Sequence, residues 1–225
     1  MFQLILEGLL PVILSFCVGL YVYKSMNTMQ RILFFQAFSY MLIYIVSFIV
    51  TALQSHYKTP LNNQWVYNLS MPIETFFLTW AASAHFTEHR QKILIWIGFI
   101  LFFSIYIVQI IIKGINVFST QGYIAESILM LIIYLFILYS CFIEEYSNWK
   151  YSPGVWICFG IILYFGGSIP YLSLLSYLEN NASKTGSFLY HFIVEGLANL
   201  RYIMLAIGFW LIRRNALLKS AIANE

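Results

Sequence analysis

The chain has 225 residues, of which 61% are hydrophobic and only 9% charged, with a mean hydropathy of +0.79; that balance excludes a soluble globular domain and reads as an integral membrane protein. A net charge of +3 with no basic run interleaved with aromatics excludes a nucleic-acid-binding surface. The three cysteines, Cys17, Cys141 and Cys158, fall within apolar runs and imply no disulfide framework.

A membrane-crossing helix needs about 20 mostly apolar residues, and runs of that kind occupy 4–23, 32–53, 65–86, 93–112, 122–143, 154–178 and 187–212. The expected fold is therefore all-α, a polytopic bundle of seven transmembrane helices forming a single domain over 1–225. The first run opens MFQLILEGLL with no Lys or Arg before Lys24, unlike the basic start of a cleaved signal peptide, so it is expected to remain as a helix. The third contains YNLSMPIETFF, the fifth carries Glu126, and the sixth contains FGIILYFGGSIP, whose Gly160, Gly166 and Gly167 permit close helix approach. Pro11, Pro72 and Pro170 lie inside spans, where neighbours can satisfy the carbonyls they free.

Orientation follows from basic residues, which concentrate on the cytoplasmic side. Lys24, Arg31, Arg90, Lys92, Lys150, Arg213, Arg214 and Lys219 fall on one side, against Lys58, Lys113 and Lys184 on the other. The N-terminus is expected outside and the C-terminus in the cytoplasm.

Ionisable residues inside spans are costly, usually face the bundle interior and mark function. The first, third, fifth and seventh runs carry Glu7, Glu74, Glu126 and Glu195, and the seventh also carries Arg201 in HFIVEGLANLRY. Six residues separate Glu195 from Arg201, about 120° around the helix and about 9 Å along it, so Arg201 needs a partner from another helix. Glu74, the deepest other carboxylate, is the expected partner, taken by the guanidinium fork. His191, Glu195, Asn199 and Tyr202 share one stripe of the seventh helix; Tyr67, Ser70 and Glu74 share one of the third. Together with Arg201 these seven positions are the candidate ligand-binding residues, with helices three and seven facing each other across an outward-facing polar cavity and Tyr134, Tyr164 and Tyr171 as walls. The competing reading is a closed hydrogen-bonded network that fixes helix register. Glu7 and Glu126, counted to lie near the headgroups, are expected to reach water.

His85-Phe-Thr-Glu-His89 matches the H-x-x-E-H spacing of inverted zinc proteases, and Glu144 or Glu145 could complete a metal set. A solvated charged rim is the ordinary explanation, and no metal or other cofactor is expected. Retinal is excluded because its Schiff base requires a lysine that the seventh run lacks. Asn68-Leu-Ser70 and Asn181-Ala-Ser183 fit the glycosylation sequon.

Through YHFIVEGLANLRYIMLAIGFWL, PGVWICFGIILYFGGS and YNLSMPIETFFLTW, the chain resembles a family of bacterial seven-helix inner-membrane proteins of about this length without assigned activity. That resemblance implies a multi-pass protein of the cell inner (plasma) membrane and carries over no catalytic residue. The expected partners are the lipid bilayer, a small polar or anionic ligand meeting Arg201 and a cytoplasmic signalling partner. The leading function is sensing of that ligand; the alternatives are a small-solute or proton-coupled transporter, and an enzyme using His191 and Glu195 as an acid–base pair or zinc at the His85–His89 segment.

Overall fold

A computed structural model of the chain describes residues 2–57, 63–144, 148–181 and 195–222, with side chains described over 8–53, 63–143, 148–172 and 195–218. Those residues form seven α-helices and no strand: α1 (Phe2–Val22), α2 (Thr28–Tyr57), α3 (Gln64–His85), α4 (His89–Lys113), α5 (Thr120–Glu144), α6 (Pro153–Asn181) and α7 (Gly196–Ile222). The sequence signals their ends. Asn27 and Gln30 form a reciprocal cap at the start of α2, each side-chain oxygen accepting from the other's backbone N–H at 2.9 Å. Gly114, at φ 82°, closes α4 by donating its N–H to the Ile110 carbonyl. Pro11, Pro72 and Pro170 sit inside helices that continue through them.

The most extensive packing joins α6 to α7 and to α5, α1 to α7, and α2 to α3; α4 lies outside, against α5 and α3. Glycine sets the spacing of the α6–α7 seam. A methyl group at Gly160 would meet the Met204 Cβ at 2.8 Å and the Arg201 carbonyl oxygen at 3.0 Å, and one at Gly208 would meet Ile157 and the Pro153 carbonyl. Gly167 also faces α7, at Leu197, whereas Gly166 faces Leu131 of α5. The close approach expected of the sixth run is thus made on two sides.

The distribution of polarity is inverted relative to a protein in water. Leu94, Ile100, Leu101, Ile111 and Ile112 of α4 and Phe136 and Tyr139 of α5 are exposed, while Gln36, Asn68, Glu74, Thr75, Glu126 and Arg201 are buried. Lipid is the solvent in which such a surface is stable and in which polar groups are driven inward. Stretches of α1, α2, α4, α5 and α6 are long and apolar enough to cross a membrane. Among the described residues α3 and α7 lack such a stretch, because α3 carries the buried Asn68, Ser70, Glu74 and Thr75, and α7 carries the buried Arg201 and, at its end, Arg213, Arg214 and Asn215.

The two ends of the bundle differ. At one end, Arg213 lies over the Tyr21 ring, Arg214 over Tyr151 at 4.0 Å, Arg31 over Tyr23 and Lys150 over Trp149. There Asn215 donates to the Tyr151 carbonyl at 3.0 Å and Trp156 to that of Lys150 at 2.9 Å. At the other end, the α4–α5 connection folds onto α3. Asn68 donates to the carbonyls of Ile115 and Val117 at 2.6 and 2.8 Å and accepts from the Ser119 N–H at 3.0 Å. Asn68 is fully buried with its amide nitrogen bonded to two carbonyls, so the sequon there is not a glycan acceptor in this fold; Ala182 and Ser183 of the second sequon lie outside the described residues.

Candidate functional site

α7 contributes Arg201 one helical turn from Met204, where Gly160 lets α6 approach α7 closely. The guanidinium is 3% exposed and donates through Nη1 to Glu74 Oε1 of α3. Aromatic rings surround it: its Cζ lies 5.0 Å from the Tyr164 centroid, 5.4 Å from Tyr202 and 5.5 Å from Phe165. Ring quadrupoles stabilise a cation where water is excluded. The ion pair uses one nitrogen and one oxygen, not the two-pronged fork expected from sequence, and Arg201 Nη2 is buried without a hydrogen-bond partner.

A second carboxyl group lies in the same layer. Glu126 of α5 is 0% exposed, its Oε1 stands 2.6 Å from Thr75 Oγ1, and its Oε2 is buried without a partner. Thr75 Oγ1 is also 2.8 Å from the Met71 carbonyl of its own helix. Both Glu74 and Arg201 lie within electrostatic reach of Glu126. Hydroxyl groups complete the layer. Tyr123 donates to Tyr164, Tyr134 donates to the Leu78 carbonyl at 3.1 Å, and Gln36 donates to the Tyr202 hydroxyl at 3.4 Å, with the Tyr40 ring packed on Tyr202.

The structure brings together Glu74, Arg201 and Tyr202 of the sequence candidates. Ser70 and Tyr67 make their bonds elsewhere. Ser70 is buried but spends its hydroxyl hydrogen on the Tyr67 carbonyl, and Tyr67 is 37% exposed, its hydroxyl accepting from Ser47 of α2 at 3.2 Å. Glu195 and Asn199 are half-buried near the start of α7; Glu195 lies within electrostatic reach of Tyr44. His191 and Glu145 lie outside the described residues, as do the side chains of Glu7 and Glu144. Of the proposed wall, Tyr134 and Tyr164 belong to the layer, and Tyr171 is buried further along α6.

Helices α3 and α7 do not form one of the closely packed pairs; α7 leans on α6 and α1, α3 on α2, α4 and α5, and the long side chains of Arg201 and Glu74 bridge between them. One expectation is corrected. Glu126 does not reach water. Counting residues from the start of the fifth run put it near the headgroups, but the connection before α5 is folded inward over Asn68 and seals the first turn, with Ser119 fully buried. Glu126, Thr75, Tyr123, Tyr40 and Gln36 were thus missed as members of the site. A carboxylate in an apolar run was the available signal for Glu126; for the others sequence offers none.

The H-x-x-E-H motif straddles a helix break. His85 ends α3 and His89 begins α4, so the two imidazoles do not share a helix face. His85 Nε2 is 2.7 Å from Ser140 Oγ of α5, while Glu88 and His89 are exposed. Among the described residues no three His, Cys, Asp or Glu side chains converge. Compared with known protein families, curated proteins and solved structures, the chain matches none.

Proposed function

We propose that this is a seven-span protein of a bacterial inner (plasma) membrane, N-terminus outside, whose polar interior binds a small polar or anionic ligand at Arg201 and transmits the change to a cytoplasmic partner. The observation that carries the reading is the half-used guanidinium: Nη1 is taken by Glu74, and Nη2 is buried and unpartnered within a ring of aromatic side chains. A buried donor left unmade is costly, and an incoming oxyanion would satisfy it. The Glu74 contact and an anion compete for one cation, so ligand binding loosens the bridge between α3 and α7. That gives the differential affinity for two packings that sensing requires.

A seven-span reading is supported by length. The 22 residues of α3 and 27 of α7 rise about 33 and 40 Å at 1.5 Å per residue, enough for a hydrocarbon core of about 30 Å. Asn68, Glu74 and Thr75 of α3 and Arg201 of α7 are buried, as polar groups inside spans are.

Thermal unfolding of the purified protein against a panel of small carboxylates, phosphate and amino acids tests the proposal. At least one compound is expected to raise Tm, by an amount equivalent to about 2.7 kcal/mol at a hundredfold excess over Kd, and Arg201→Lys is expected to abolish the shift while retaining a folded protein. If no compound shifts the wild type, the sensing proposal fails; accumulation of the same compounds in proteoliposomes, lost in Glu74→Gln, assigns the site to transport.

A further inference from the structure

The oxygen of Thr75 has one hydrogen and two acceptor-like neighbours, the Met71 carbonyl at 2.8 Å and Glu126 Oε1 at 2.6 Å. One hydrogen cannot point straight at both, so two well-directed hydrogen bonds require Glu126 to supply the second hydrogen. Thr75 then donates to Met71, and a protonated Oε1 of Glu126 donates to Thr75. The other carboxyl oxygen agrees: Oε2 is buried without a donor, a tolerable state for a neutral carboxyl and a severe one for half of a carboxylate. Charge balance agrees as well. Among the described residues one guanidinium serves the layer, Glu74 already neutralises it, and a second full negative charge buried beside the pair would lack a counter-charge.

We propose that Glu126 is a proton-binding site inside the bundle, holding its proton toward Thr75 and releasing it to solvent when its carboxylate turns to the open Nη2 of Arg201. In that exchange the O–H bond of Glu126 breaks, the electron pair stays on the carboxylate and the guanidinium becomes shared between two acids. Proton occupancy thereby sets how firmly α3, α5 and α7 are tied through Arg201. The groups that interact with Glu126 are Glu74 and Thr75 from α3, Arg201 from α7 and Tyr123 on its own helix, which in turn bonds to Tyr164 of α6. The buried members of α4 are Ile95, Phe102, Tyr106 and Gln109, none of them charged. The site stands on hydrogen-bond geometry and does not require the ligand proposed above.

Infrared spectroscopy of protein labelled with carbon-13 glutamate, reconstituted in lipid, reads the proton directly. The expected result is a protonated-carboxyl C=O band at neutral pH that is missing in Glu126→Gln, shifted in Thr75→Val and lost as pH rises. In Glu74→Gln the loss is expected at a pH lower by about one unit or more, a tenfold weaker hold on the proton, because Glu126 then has Arg201 to itself and no neighbouring negative charge. No band in the wild type overturns the site. A band that persists at every pH the fold survives overturns the exchange, and a titration unmoved by Glu74→Gln overturns the link to Arg201. Glutamine retains a donor and an acceptor at position 126; should that variant fail to fold, the Thr75→Val shift decides the assignment.

Discussion

Arg201 and Glu74 are the residues whose removal the fold is least able to absorb. Both are buried, each neutralises the other, and truncating one strands the other's charge away from water. Arg201→Ala is therefore expected to cost about 3–5 kcal/mol, and Glu74→Gln less, because an amide oxygen still accepts from Nη1. Replacing the pair together, as Arg201→Met with Glu74→Leu, is expected to recover much of the Arg201→Ala loss, since a matched apolar pair leaves no orphaned charge. Melting curves of the single and double variants in one detergent measure the difference. Equal instability of single and double variants would mean that the pair contributes through packing with Tyr164 and Tyr202 instead of through charge.

At the scale of elements, the α6–α7 seam determines where Arg201 stands. Gly160 faces the Arg201 backbone itself, so a side chain there moves the helix that carries the guanidinium. Gly160→Ala is expected to cost about 1–3 kcal/mol, the range for overfilling a packed core, and to weaken whatever binds at Arg201. Gly196→Ala, where an added methyl meets nothing within 4 Å, is the matched control and is expected to leave both stability and binding unchanged. A stability loss at Gly160 no larger than at Gly196 would show that the helices separate without strain.

For the molecule as a whole, the aromatic and amide contacts gather Arg31, Lys150, Arg213 and Arg214 at one end of the bundle. If that end is cytoplasmic, as the charge asymmetry implies, a cysteine introduced at Lys24 or Lys150 is shielded from a membrane-impermeant maleimide in intact cells, and one at Lys113 is labelled. The test is made after Cys17, Cys141 and Cys158 have been replaced by alanine. The reverse pattern would invert the molecule, and labelling of all three positions from outside would exclude the alternating path of seven spans.

The all-helical class, the membrane environment and the Arg201–Glu74 pairing are legible in the residues alone, because each follows from local composition or from the rule that a buried cation needs a carboxylate at matching depth. Apolar run length fixes a helix whatever its neighbours are, and only a few carboxylates were available to choose from. Tertiary structure decided which groups surround that pair. Glu126 counts as a shallow residue along the chain and becomes an interior one only because residues 114–119 fold back onto Asn68. Thr75, Tyr123 and Gln36 enter the layer through the rotation and spacing of helices far apart in sequence. The motif at His85–His89 dissolved for the complementary reason: a four-residue spacing places two side chains together only while the backbone between them stays helical, and here one helix ends and the next begins within it.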